Sequence, residues 1–303
     1  MIRRDLKSGS ALLTLAVSPT KLFTLLALAA VAVPSSSYAQ AVGSNSANDK
    51  SVRSITASAV KSVSDILSRL PCSAPKTLAH LDGALNRTAR HIALNEPLTI
   101  VALGSSSTAG AGASSPAFSY PSRLEIELKR RFPKSDINVI NQGVNGEEAP
   151  DELARLDTII EEKPDLVIWQ IGTNAVLRDI DAESISSMAQ QGLARLKAAG
   201  IDVLMIDPQF APKVIAKSAA RDMVNMISAI GRRTHVPVFQ RFAVMQSWHD
   251  QQSLDFDRYT VADGLHMNDW GYACFAHVLS DSLADSLVNA NTVANAAHVI
   301  DPY

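Results

Sequence analysis

Leu98-Thr99-Ile100-Val101-Ala102-Leu103-Gly104-Ser105-Ser106-Ser107-Thr108-Ala109-Gly110 is the stretch that decides the fold. Its first six residues are a short, mostly apolar run ending at a glycine, the form of a strand buried on both faces of a parallel sheet. The second half is a turn of small residues with accessible backbone N–H groups. In an open parallel sheet, ligands collect beyond the carboxyl ends of the strands, where this turn would stand. It lacks the lysine of a phosphate-binding loop, and its glycines do not have the dinucleotide spacing. Two readings remain: a hydroxyl that attacks a carbonyl carbon once a base is supplied, or a plain connecting turn.

Working outward, further strands are predicted at 137–140, 166–171, 201–206 and 236–239. Helices are predicted at 119–131, where Tyr120, Leu124 and Leu128 recur every four residues, and at 150–162, 182–199 and 213–233. Phe242 to Trp248 begins another helix, and 269–289 is the last. Strands alternating with helices predict an α/β fold whose parallel sheet is covered on both faces. Upstream, Ile55, Val60, Val63, Ile66 and Leu70 keep near-helical spacing as far as Pro71, and a short helix is predicted over 77–90. These form an N-terminal helical extension of the same domain.

Arg3, Arg4 and Lys7 make a basic start, Leu22 to Val33 is apolar apart from Thr24, and small residues lead to Ser37-Tyr38-Ala39. This is a signal-peptide layout, so residues 1–39 are expected to be removed on export to the periplasm or beyond the cell. The alternative is a retained N-terminal membrane anchor, for which the apolar run is short. Residues 40–95 are then a flexible lead-in and helical extension, and 96–303 the catalytic domain. Once the signal is cleaved, no stable membrane insertion is expected. Of 303 residues 47% are hydrophobic and only 5% aromatic, so one core of Val, Ile, Leu and Ala is expected. A net charge of −2 with no basic stripe gives no nucleic-acid partner. Cys72 and Cys274 are either a disulfide, favoured by export, or two small buried thiols.

Asp263-Gly264-Leu265-His266 lies just ahead of the last helix. Across a tight turn the aspartate reaches its own histidine, fixing the ring and steadying the imidazolium formed when it takes a serine proton. Asn141 to Gly146 follows the second strand, and Gly172-Thr173-Asn174 the third, on the same sheet edge. Ser106 and Gly146 offer backbone N–H groups and Asn174 a side-chain amide, three donors around one developing oxyanion. Turn capping is the competing role for the asparagines.

These four segments, in this order over residues 98–275, resemble the SGNH/GDSL hydrolase superfamily. The resemblance places the nucleophile at Ser106, the remaining triad members at Asp263 and His266, and the oxyanion hole at Ser106, Gly146 and Asn174. Two positions depart from it: Ser105 stands where an aspartate is usual, and Ala175 where an acid follows the asparagine. The resemblance implies a flavodoxin-like three-layer α/β/α sandwich with a central parallel sheet, working without cofactor or metal. It implies a serine esterase that passes through an acyl-enzyme; export and the absence of a long hydrophobic lid segment point to short-chain or carbohydrate O-acetyl esters. The alternatives are a lipase, lysophospholipase or arylesterase with longer acyl substrates, and a non-catalytic carbohydrate-binding protein on the same fold. A small-molecule or polysaccharide ester is the expected partner, and nothing in the sequence sets an oligomeric state. Ser105, Phe242, Met245 and Trp248 are candidate pocket residues. At helical spacing the last three read as core more readily than as pocket.

Overall fold

The computed structural model describes residues 73–300, with side chains to residue 288, all within one compact unit spanning Val52–Tyr303. The expected signal segment, the 54–70 helix and Cys72 lie outside the described residues.

Two short helices, α1 (Lys76–Ala79) and α2 (Asn86–Leu94), precede strand β1 (Leu98–Gly104). The 77–90 prediction ran them together; the chain turns between them where Pro237 lies against Gly83. A one-turn helix α3 (Ser106–Ala109) follows β1, then α4 (Tyr120–Arg131) and β2 (Ile137–Gly143). The predicted 150–162 helix is split into α5 (Ala149–Ala154) and α6 (Leu156–Glu161). The split falls at Arg155, whose side chain turns back to the Gln142 carbonyl and the Glu147 carboxylate. Then come β3 (Leu166–Gln170), α7 (Thr173–Leu177), α8 (Ala182–Ala198) and β4 (Asp202–Ile206). The predicted 213–233 helix is likewise two, α9 (Pro212–Ile215) and α10 (Ala220–Thr234). Strand β5 (Val238–Phe239), α11 (Arg241–Asp250), α12 (Phe256–Tyr259) and the long α13 (Asp269–Ile300) complete the order.

The five strands pair in parallel in the order β2-β1-β3-β4-β5, a doubly wound arrangement. Helices α2, α4 and α13 pack together, as do α5, α8 and α10, giving the two outer layers of a three-layer α/β/α sandwich. Strand β3 is buried at every position and β1 at all but Thr99, as expected of central strands covered on both faces. The predicted spacing in α4 is realised: Tyr120, Leu124 and Leu128 are all buried, with Tyr120 edge-on to Phe275 of α13. Asp181 caps α8 by accepting from the Ser184 N–H. The strand order reverses at β1, so the turns after β1, β2 and β3 open onto one crevice.

Candidate active site

The Ser106 turn is set by the end of β1. Ser105, extended and buried, precedes α3, and its carbonyl accepts from the N–H groups of Thr108 and Ala109. Ser106 is therefore the first residue of a helical turn, where the backbone N–H has no intrahelical acceptor. Strand β2 runs close behind it: a Cβ on Gly143 would stand 2.1 Å from the Ala109 nitrogen, so only glycine fits. The loop after α3 is tied to α13 through Ser114, whose N–H and hydroxyl both donate to Asp269. The Tyr272 hydroxyl adds a bond to the Ala111 carbonyl.

The Asp263–His266 turn is the tip of a hairpin closed by the Thr260–Met267 bridge and by the Val261 N–H donating to the His266 carbonyl. Asp263 Oδ1 accepts from the backbone N–H groups of Leu265 and His266, at 2.8 and 2.9 Å. Its Oδ2 lies 2.5 Å from His266 Nδ1. With the ring proton held there, Nε2 is left as an acceptor, and it stands 2.8 Å from Ser106 Oγ. Partial burial alone would raise the Asp263 pKa. The bonds from the His266 ring and from the two backbone N–H groups outweigh it and hold the carboxyl below its ordinary value. The structure thus joins Asp263 and His266, which the spacing singled out, to Ser106, which the resemblance placed as nucleophile.

Gly146 sits in the turn Val144–Glu147, closed by the Glu147 N–H on the Val144 carbonyl, at a position with φ +82° that favours glycine. Its carbonyl accepts from the exposed Arg178, and the Glu147 carbonyl accepts from Asn174 Nδ2 at 2.9 Å. One of the two Asn174 amide hydrogens is therefore spent on holding this loop against α7, and the other is left for a ligand. The expected capping role and the expected donor role are compatible in a single side chain.

Other expected residues fall elsewhere. Met245 and Trp248 are fully buried; Trp248 packs edge-on against Tyr259 and Trp270 and donates to the Ser73 carbonyl. They belong to the core, because the inward face of α11 is turned to the interior. Ser105 is buried beneath the turn. Phe242 is mostly buried too, but it lines a cleft of about 420 Å³ with Phe210, Ile215, Lys217, Arg221 and Gln246. Cys274 is buried in α13. Among the described residues no cluster of three or more His, Cys, Asp or Glu side chains is placed to hold a metal ion, and no helix is long and apolar enough to cross a membrane.

Motif spacing gives no sign of a set of buried polar groups behind the site: Thr173, Asp207, Gln209 and Arg241. Asp207 and Arg241 are fully buried. Desolvation raises the Asp207 carboxyl to about 7 and lowers the Arg241 guanidinium to about 10. The one signal in the sequence is an arginine two residues after a short apolar strand and beside Phe242. A second acidic pair, Glu148 and Glu152, lies under the Gly146 loop, with Glu152 accepting from Trp169 Nε1 at 2.7 Å.

Residues 71–289 match the Non-GDSL lipase-like family. This overturns the resemblance to the SGNH/GDSL superfamily. The two departures, Ser105 and Ala175, fall inside the blocks on which that resemblance was built, and both are buried neutral residues where it would put a charge. An arylesterase of Vibrio mimicus is 30% identical over 95 residues, which is 31% of this chain and 46% of that protein, so the match spans less than half of the relative. Among solved structures, a two-domain esterase (CEX) active on acetylated mannans superposes with a TM-score of 0.60. It is 22% identical, and the superposition covers 69% of this chain and 56% of that one. The lipase/acylhydrolase from Enterococcus faecalis gives a TM-score of 0.52 at 24% identity, over 62% of this chain and 96% of its own. At these identities the two structures speak for the fold alone.

Proposed function

The chain belongs to the Non-GDSL lipase-like family, and from that membership we propose that it is a carboxylic ester hydrolase with Ser106 as nucleophile. The observation that carries this reading is the continuous line from Asp263 Oδ2 through both nitrogens of His266 to Ser106 Oγ, with no contact longer than 2.8 Å. His266 Nε2 takes the hydroxyl proton as Oγ attacks the acyl carbon. The oxygen that becomes an anion is met by the Ser106 and Gly146 N–H groups and the second hydrogen of Asn174. Protonated His266 gives its proton to the departing alcohol, leaving an acyl-enzyme. Water, losing a proton to the same nitrogen, then releases the acid.

The substrate class we propose is a short acyl ester, O-acetyl groups on a polysaccharide foremost. The activity of the mannan esterase with the similar fold supports it. A second reading, aryl esters, is favoured by the partial match to the arylesterase. We further propose export with removal of residues 1–39, and a bridge from Cys72 to Cys274. The disulfide state of Cys274 in a chain with two cysteines supports the bridge.

The test compares wild type with Ser106→Ala on nitrophenyl acetate, longer nitrophenyl esters and acetylated mannan. Loss of hydrolysis in the variant is expected, with the acetyl ester preferred in the wild type. Equal rates in both proteins overturn the serine mechanism, and absence of hydrolysis in the wild type returns the non-catalytic carbohydrate-binding reading.

A further inference from the structure

Building on the ester-hydrolase reading, we propose that Gln209 is a positioning residue: its buried amide joins the Thr173–Asn174 segment to the Asp263–His266 turn and keeps His266 in register with Ser106. Within the turn only Leu265 is buried; Asp263 is exposed and His266 only partly covered. Two successive carbonyls of the turn are held by the segment leaving β4. The Gly264 carbonyl accepts from the Lys213 N–H at 3.0 Å, and the Leu265 carbonyl from Gln209 Nε2 at 3.4 Å.

The other end of the same amide looks toward the oxyanion side. Gln209 Oε1 accepts from Thr173 Oγ1 at 3.0 Å, and Thr173 is the neighbour of Asn174. The line continues inward: Arg241 Nη2 donates to Thr173 Oγ1, and its Nε donates to the Asp207 carbonyl. Asp207 Oδ1 accepts the Phe242 N–H. Gln209 is 1% exposed. A buried amide costs stability unless both of its ends are bonded, so an apolar side chain of similar size would serve better if filling space were all that was needed. Its two ends are bonded to the two segments that must agree for proton transfer and oxyanion stabilisation to occur on one substrate. Misplacing such groups by about 1 Å costs on the order of 100-fold in rate.

Gln209→Met keeps the length and loses both bonds. Gln209→Glu, assayed at about pH 9 so that the buried carboxyl is ionised, keeps an acceptor for Thr173 and sets an anion against the Leu265 carbonyl. Both are compared with wild type for kcat and KM on nitrophenyl acetate, for the rate of Ser106 labelling by a fluorophosphonate, and for Tm. The expected result is a kcat lower by about 10- to 100-fold in both, with KM within about twofold and the labelling rate falling in step. A Gln209→Met protein with wild-type kcat and a lowered Tm overturns the proposal, as does a change confined to KM. If Gln209→Met does not fold, Gln209→Glu decides by the same criteria. Activity retained in Ser106→Ala overturns the serine mechanism on which this role rests. Activity lost there but intact in Gln209→Met overturns only the role of Gln209.

Discussion

Replacing Glu152 by Gln should make the protein more stable at alkaline pH and leave it unchanged at pH 5. The carboxyl is 2% exposed and accepts from Trp169 Nε1 at 2.7 Å. Burial raises its pKa from 4.5 to about 8. The Trp169 bond works against that rise, and the neighbouring Glu148, itself raised by burial to about 7, adds to it once ionised. An acid whose folded pKa lies above its unfolded one binds its proton more tightly when folded. Its contribution to stability is complete below about pH 4.5 and is lost as pH rises through 8. Each pKa unit is worth about 1.4 kcal/mol, so the loss at pH 9 is at most about 5 kcal/mol. Glutamine has the same shape, still accepts from Trp169, and cannot ionise. Glu148 and Asp207, both near 7, still impose a slope at lower pH, so the window from 7 to 9 isolates Glu152. Urea unfolding and thermal melts at pH 5, 7 and 9 measure the difference, expected near zero at pH 5 and on the order of 10 °C in Tm at pH 9. The same difference at pH 5 and pH 9 would refute the reasoning.

Asp263→Asn should leave KM near its wild-type value and lower kcat by about 10⁴-fold, since the amide can present N–H to His266 Nδ1 and reverse the tautomer; steady-state kinetics on nitrophenyl acetate measure it. Asn174→Ala removes a side-chain donor and also frees the Glu147 carbonyl, and should lower kcat by about 10²- to 10³-fold with little change in Tm. Gly143→Ala puts a methyl 2.1 Å from the Ala109 nitrogen, so fluorophosphonate labelling of Ser106 should slow and Tm should fall. Labelling at the wild-type rate in that variant would show that the turn tolerates displacement.

The layered fold was legible because its signals are local. An apolar run ending in glycine at residue 104 and a four-residue spacing in 119–131 each report burial on a known face, and every strand predicted at the level of existence is present. The boundaries that failed did so for tertiary reasons. The 77–90 helix breaks where Pro237, far away in sequence, crosses Gly83, and the 150–162 helix breaks where Arg155 turns back to Glu147 and Gln142, which lie outside the helix. The pairing of Asp263 with His266 was legible for the same reason as the strands, since an Asp-x-x-His turn makes its own hydrogen bonds, whereas Ser106, 160 residues away, was placed only by the resemblance. The family was not: four short blocks in order left open what the whole span 71–289 decides, and Ser105 and Ala175 were the residues that pointed away.

The buried polar groups are the instructive omission. Sequence periodicity marks a position as inside or outside, and an interior Gln, Thr, Asp or Arg reads as an exposed residue out of phase. Gln209 and Thr173 each lie three residues after the end of strands β4 and β3, where a chain is expected to turn to solvent, yet both are buried and bonded to each other. What distinguishes them is that their partners come from different turns, at Leu265 and Arg241. A polar residue buried against a distant turn adds no spacing pattern of its own. In this protein such residues connect the two halves of the crevice, and so the part of the site that spacing hides is the part that holds its visible residues together.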